Sequence, residues 1–173
     1  ILAGNSLLTL AFEILSSKNL KLHSKIKNEL IKSLANCSGS SGLAEGQYFD
    51  LTFENKKLSK KKIIDIQYNK TGKLFAFCCE CAGIIKEHNI KKRKILNSIG
   101  LNIGLLFQIA DDLIDYKGDS RIVGKPTKRD KKKGKPTLVN LLGYTETLSF
   151  ADNLKNKINK KIKNYGNKSQ DLL

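Results

Sequence analysis

The sequence predicts an all-α protein. Three observations point there. Apolar residues recur three and four positions apart through each long segment, the spacing of one helical face. There is no strong strand alternation, hairpin signal or clear internal repeat. Both prolines, Pro126 and Pro136, fall in one polar stretch, so the other segments are free of helix breakers. The length of 173 residues allows one domain with a real core.

Each element has its own justification. Residues 1–17 repeat Ala3, Leu7, Leu10, Ala11, Ile14 and Leu15 at helical spacing. A second helix is expected over 20–35, with Leu22, Ile26, Leu30 and Leu34 as its core stripe and lysines outside. Ser38 to Gly42 is a break, after which 43–53 resumes a helix. There Glu45, Gly46, Gln47 and Asp50 place polar or small groups on an otherwise buried face. The basic stretch 55–62 reads as a solvated connector. Another helix begins at Ile63, and Lys70-Thr71-Gly72 leads into the mainly apolar run 74–85. A lysine there can reach an anion or can snorkel to the surface, and the second is the commoner use. Residues 90–94 form a second basic corner, 138–142 a short helix, and 144–165 a last lysine-rich helix without a capping signal.

The chain is organised around Phe107-Gln108-Ile109-Ala110-Asp111-Asp112-Leu113-Ile114-Asp115-Tyr116. Gln108, Asp111, Asp112 and Asp115 follow an i, i+3, i+4, i+7 pattern, so a helix turns all four to one side. Gly100 and Gly104 extend that side backwards without side chains, while Leu106, Ile109, Leu113 and Tyr116 lie opposite. Carboxylates in an apolar run are costly unless something positive meets them. Several oxygen ligands suit a hard cation such as magnesium. The polar connection 116–136 that follows holds Gly118, Gly124, Gly134 and spaced lysines, the composition of a functional lid.

Composition narrows the function classes. The net charge of +16 is almost all lysine, since Arg93, Arg121 and Arg129 are the arginines. Such a charge suits nucleic acid, an anionic surface or a phosphorylated substrate. Nucleic acid is the weakest of these, because aromatic content is 7%, Trp is absent and the basic residues are dispersed. Apolar runs are too short and interrupted for stable membrane insertion. Cys78 and Cys81 form a Cys-x-x-Cys pair without a second pair, and His23 and His88 lack zinc spacing, so Cys37, Cys78, Cys79 and Cys81 read as small buried hydrophobes. Reduced thiols fit the cytoplasm. Methionine is absent and Ile1 opens in mid-pattern, so the expectation is an internal fragment of a longer chain.

Taken together, these segments resemble the trans-isoprenyl diphosphate synthases, the polyprenyl synthetase family of farnesyl and geranylgeranyl diphosphate synthases. Residues 107–115 match its second aspartate-rich motif, FQxxDDxxD, without a mismatch. Gly118-Asp119, Gly124-Lys125 and Gly134-Lys135-Pro136-Thr137 match the segment that follows it. Lys70-Thr71-Gly72 matches its KTG motif, and Gly46-Gln47 with Asp50 its GQ…D motif. Residues 2–13 look like the helix after the first aspartate-rich motif. Asn5 and Glu45 depart from the family's commoner residues.

The resemblance implies an isoprenoid-synthase-type helical bundle around a central cavity, truncated at both ends. Residues 1–173 would be a partial polyprenyl synthetase domain, with the first aspartate-rich motif missing and the C-terminal helix incomplete. It implies a cytoplasmic, homodimeric prenyltransferase that condenses isopentenyl diphosphate with an allylic diphosphate. The product would be a longer linear prenyl diphosphate of farnesyl or geranylgeranyl type, and the fragment alone would be inactive. It implies Mg2+ on Asp111, Asp112 and Asp115, with Asp111 the first choice of direct ligand. Asp111, Lys70 and Lys125 would carry catalysis. Lys70, Lys125, Thr71, Gln108 and Gln47 would bind substrate, and Lys125, Asp130 and Lys135 would form the lid. The rival readings are a class I terpene cyclase, a non-catalytic prenyl synthase subunit and a basic nucleic-acid-binding module. The lysine-rich lid and the KTG motif favour chain elongation.

Overall fold

A computed structural model describes residues 1–118, 130 and 133–166. Most of these residues are helical, with no strand among them. In chain order the helices are α1 (Leu2–Ser16), α2 (Ser24–Ser38), α3 (Leu43–Thr52), α4 (Lys60–Gln67), α5 (Lys73–Ile85), α6 (Ile90–Lys117), α7 (Leu138–Leu142) and α8 (Tyr144–Lys163). A five-residue π turn, Tyr68–Gly72, joins α4 to α5.

The 28-residue α6 is the axis, and α4, the π turn, α5, α7 and α8 pack around it. Asn89 starts it by accepting a hydrogen bond from the Lys92 amide. The second basic corner is therefore the first turn of this helix. Ile63, Ile99, Leu105, Ile109, Leu138, Leu154, Ile158 and Ile162 form the shared core. Fully burying a side chain of this size contributes about 1.5–3 kcal/mol, so this cluster holds the bundle.

The remaining elements refine the sequence reading. In α2, Leu30 and Leu34 are buried and Ile26 half-buried, but Leu22 precedes the helix. The helix starts at Ser24 rather than Leu20, because residues 17–22 form hydrogen-bonded turns. The apolar repeat of α1 buries none of its residues, and Leu7, Leu10 and Ile14 face outward. The connector 55–62 is not simply solvated. Ser59 caps α4, and Lys62 lies 4.5 Å from the Phe49 ring centroid while Lys60 lies 4.4 Å from that of Phe150. Ammonium groups over ring faces gain from the aromatic quadrupole, which turns part of the basic stretch inward. Cys37, Cys79 and Cys81 are half-buried, whereas Cys78 is exposed.

Gly100 and Gly104 serve contact rather than open space. A Cβ on Gly104 would stand 2.6 Å from the Gly72 Cα, so α6 rests directly on the end of the π turn. That approach fixes the height at which α6 presents its acidic turn. No helix among the described residues is long and apolar enough to cross a membrane. Gly104→Val forces backbone apart at this crossing, and overpacking of this kind costs about 1–3 kcal/mol. Thermal denaturation of the protein carrying this chain will show a lowered midpoint, and an unchanged midpoint would contradict the close contact.

Candidate functional site

Four segments converge beside the acidic turn of α6. They are α3, the end of α4 with the π turn, α6 itself and the residues before α7. Gly46 brings α3 in: any side chain there would collide with the Lys70 backbone. Glu45 Oε2 accepts from Asn69 Nδ2 at 2.6 Å, so α3 and the π turn are zipped together just before Lys70. In the π turn the Lys73 amide donates to the Tyr68 carbonyl, five residues back instead of four. Such widened turns are frequent at functional sites. This one turns Lys70 towards α3 and Thr71 towards α6.

Asp112 is the centre. It is 3% exposed. Gln67 Nε2 donates to its Oδ2 at 3.0 Å and Gln108 Nε2 to its Oδ1 at 2.9 Å. Thr71 Oγ1 in turn donates to Gln108 Oε1 at 3.2 Å, which fixes the amide's orientation. Burial pushes the Asp112 carboxyl up to about 7, against a smaller lowering by the Gln108 hydrogen bond. Asp130 and Asp111 raise it further and Lys135 lowers it. A carboxylate so placed is poised to meet a cation. Gln67 Oε1 is buried with no hydrogen-bond partner, a further oxygen donor in the same place.

Asp115 is also buried, and its Oδ2 accepts from the Asp130 amide at 3.0 Å. Asp112, Asp115, Asp130, Thr137 and Asn140 line a cavity of about 280 Å³. A second opening is lined by Asp50, Gln67, Lys70, Gln108, Asp112 and Lys135. There Lys70 Nζ donates to Asp50 Oδ2 at 2.6 Å. Lys135 Nζ lies 3.5 Å from the same oxygen and 3.4 Å from Asp130 Oδ1. Its pKa is raised, although burial opposes this, because Asp50 and Asp130 favour its charged form. The backbone before α7 is held by Asn55, whose amide donates to the Gly134 carbonyl at 2.8 Å, and by Thr137, which caps α7.

The structure thus brings together Lys70, Thr71, Gln108, Asp112, Asp115, Asp130 and Lys135. Asp111, half-buried on the preceding position of α6, is not among the described residues lining either opening. Gln47 is half-buried on α3 and is not among the described residues lining either opening. Lys125, with Asp119 and Gly124, lies outside the described residues. Sequence reasoning missed Gln67 as the second amide on Asp112, and the pairing of Asp50 with both lysines. A signal for Gln67 existed: it lies three residues before Lys70, on the same side of that helical stretch.

Among the described residues no three His, Cys, Asp or Glu side chains gather into a closed metal-binding group. The donors at the acidic turn are nevertheless all oxygen. Magnesium fits such a set, because it keeps several waters and needs only one or two carboxylates plus substrate phosphate.

Comparisons with known proteins agree with this architecture. The family model for polyprenyl synthetase matches residues 1–172. A farnesyl diphosphate synthase of Micrococcus luteus is 41% identical over 83% of this chain and 48% of its own. A geranylgeranyl diphosphate synthase of Pantoea ananas is 36% identical over 83% of this chain and 45% of its own. The chain spans about half the length of these curated relatives. Among solved structures, a Helicobacter pylori geranyltransferase complexed with magnesium and isoprenyl diphosphate superposes with a TM-score of 0.81. It is 34% identical, over 93% of this chain and 52% of that one. An FPP/GFPP synthase from Zymomonas mobilis gives a TM-score of 0.83 at 35% identity, over 98% of this chain and 56% of that one. With the same helical fold and a family-model match along nearly its whole length, the chain belongs to the polyprenyl synthetase family.

Proposed function

We propose that this chain is the C-terminal part of a magnesium-dependent prenyltransferase. The enzyme joins isopentenyl diphosphate to an allylic diphosphate and releases a longer linear prenyl diphosphate of farnesyl or geranylgeranyl type. It works as a cytoplasmic homodimer, completed by an N-terminal segment carrying the first aspartate-rich motif. The observation that supports this most is the convergence of Lys70, Lys135 and Asp112, from three separate segments, on one opening beside the cavity that Asp112 shares with Asp115.

The reaction begins when the allylic C–O bond breaks and both bonding electrons leave with diphosphate. Asp111, Asp112 and Asp115 would hold magnesium, which would supply Lewis-acid stabilisation of that leaving group. Lys70, and Lys125 with it, hold diphosphate oxygens and act on the negative charge that grows there. The double bond of isopentenyl diphosphate then attacks the allylic cation, and loss of a proton restores the alkene. Gln108 and Thr71 form a fixed polar pair beside the reacting carbon, with Gln47 at the edge of the site. Asp130 and Lys135 close over the substrate. Apolar walls of the bundle keep water from the cation, which water would otherwise quench to an alcohol. A cyclase would share the acidic turn, but lysines on both sides of it fit a reaction that begins and ends with diphosphates.

Assay of the full-length enzyme with isopentenyl and dimethylallyl diphosphates will give linear, magnesium-dependent products. Asp111→Ala will lower kcat by about 10²–10³-fold, the scale of losing one electrostatic stabiliser, with the far-UV circular dichroism unchanged. Near-normal turnover in that variant sinks the assignment.

Asp112 gives a test without turnover. Its carboxyl binds a proton more tightly in the fold, at about 7, than in the unfolded chain, near 3.8. Its contribution to stability is therefore most favourable below about pH 4 and is lost as pH rises towards 7, by a few kcal/mol at most. Chelator-treated enzyme will lose thermal stability through that window, and magnesium will restore it chiefly above pH 6. Asp112→Asn will flatten this part of the profile. An unchanged slope in Asp112→Asn contradicts the buried, uncompensated carboxyl.

A further inference from the structure

Asp50 sits in the site, and the chemistry above gives it no part. Its Oδ2 takes the Lys70 ammonium at 2.6 Å and has the Lys135 ammonium at 3.5 Å. These lysines come from the π turn and from the stretch before α7, far apart in sequence. Two ammonium groups near one point repel each other, and a carboxylate between them makes the arrangement tolerable. Both are long side chains that lose much rotamer freedom when held in place.

Asp50 is itself well anchored. Glu45 bonds Asn69, Gly46 abuts the Lys70 backbone and Asp50 bonds the Lys70 side chain. These contacts run along one face of α3 against the π turn. The side chains of Asp50, Lys70 and Lys135 remain 19%, 24% and 22% exposed. Ion pairs between partly exposed side chains like these contribute modestly to stability. What the carboxylate does achieve is to fix where the two cations stand.

We infer that Asp50 is a positioning residue for anion binding, which gathers Lys70 and Lys135 at one place so that a diphosphate meets two aligned ammonium groups. This rests on the reading of the site as a diphosphate site. Asp50 acts through the lysines and need not touch the substrate.

The test uses the full-length protein and inorganic pyrophosphate with magnesium, followed by calorimetry. Asp50→Asn and Asp50→Glu are compared in the native and the Lys70→Ala backgrounds. Asp50→Asn will weaken pyrophosphate binding by about 10-fold, the scale of losing a charge-assisted contact. It will raise KM for the allylic diphosphate while leaving KM for isopentenyl diphosphate unchanged. Asp50→Glu, which keeps the charge, will restore part of the affinity. In the Lys70→Ala background Asp50→Asn will cost markedly less, because one of the two cations it positions is gone. Unchanged affinity in Asp50→Asn overturns the inference. So does tighter binding, which would make the carboxylate a competitor of the anion. If Lys70→Ala alone leaves pyrophosphate affinity intact, the reading of the site falls instead.

Discussion

A carboxylate buried near the C-terminal end of a packed helix is the constraint on which this structure turns. Asp112 belongs to α6, which is also the axis of the hydrophobic core, so the same helix has to be dry on one side and charged on the other. Ile109 is 0% exposed three residues before it. Removing a carboxylate from water is expensive unless hydrogen bonds replace the lost hydration. Here two amides do so, one from α6 itself and one from α4. Each amide then constrains a further element, since Gln67 fixes the end of α4 and Gln108 takes the Thr71 hydroxyl from the π turn. The shape of the site follows from satisfying this one buried group.

Much of this was legible in the sequence, and for identifiable reasons. The polar pattern from Gln108 to Asp115 is readable because helix geometry ties spacing to direction, and Gln108, Asp112 and Asp115 do line the two neighbouring openings. The core stripe of α2 and the short α7 were readable on the same ground. Gly100 and Gly104 were read as extending the polar side backwards, but an absent side chain can equally admit a neighbouring backbone, and sequence alone does not say which. The outward face of α1 was hidden likewise: periodicity gives a helix its apolar side, not what lies against it. Gln67 and Asp50 escaped because their partners are distant in sequence, and pairing across elements exists only once the elements are docked.

The charge tells a similar story. A net charge of +16 invites a reading based on polyanions, yet the lysines serve several purposes. Lys60 and Lys62 stack on phenylalanine rings, Lys70 and Lys135 stand at the acidic turn, and Lys161 donates to Ser98 at 2.7 Å. Only placement separates a lysine that binds from one that packs. Bulk charge governs solubility and non-specific association, and it carries little information on the site.

The π turn has a consequence for how this chain tolerates change in length. Its wider ring encloses one residue more than an α turn would. Removing one residue between Tyr68 and Gly72 would allow ordinary α geometry to run from α4 straight into α5, with the flanking helices left nearly where they are. The bundle could then survive a deletion that draws Lys70 and Thr71 out of line. Insertions and deletions are normally most damaging where a structure is most regular. In this stretch the irregular turn is where a one-residue change in length would be taken up, at the cost of the contacts that Asn69, Lys70 and Gly72 make with α3 and α6.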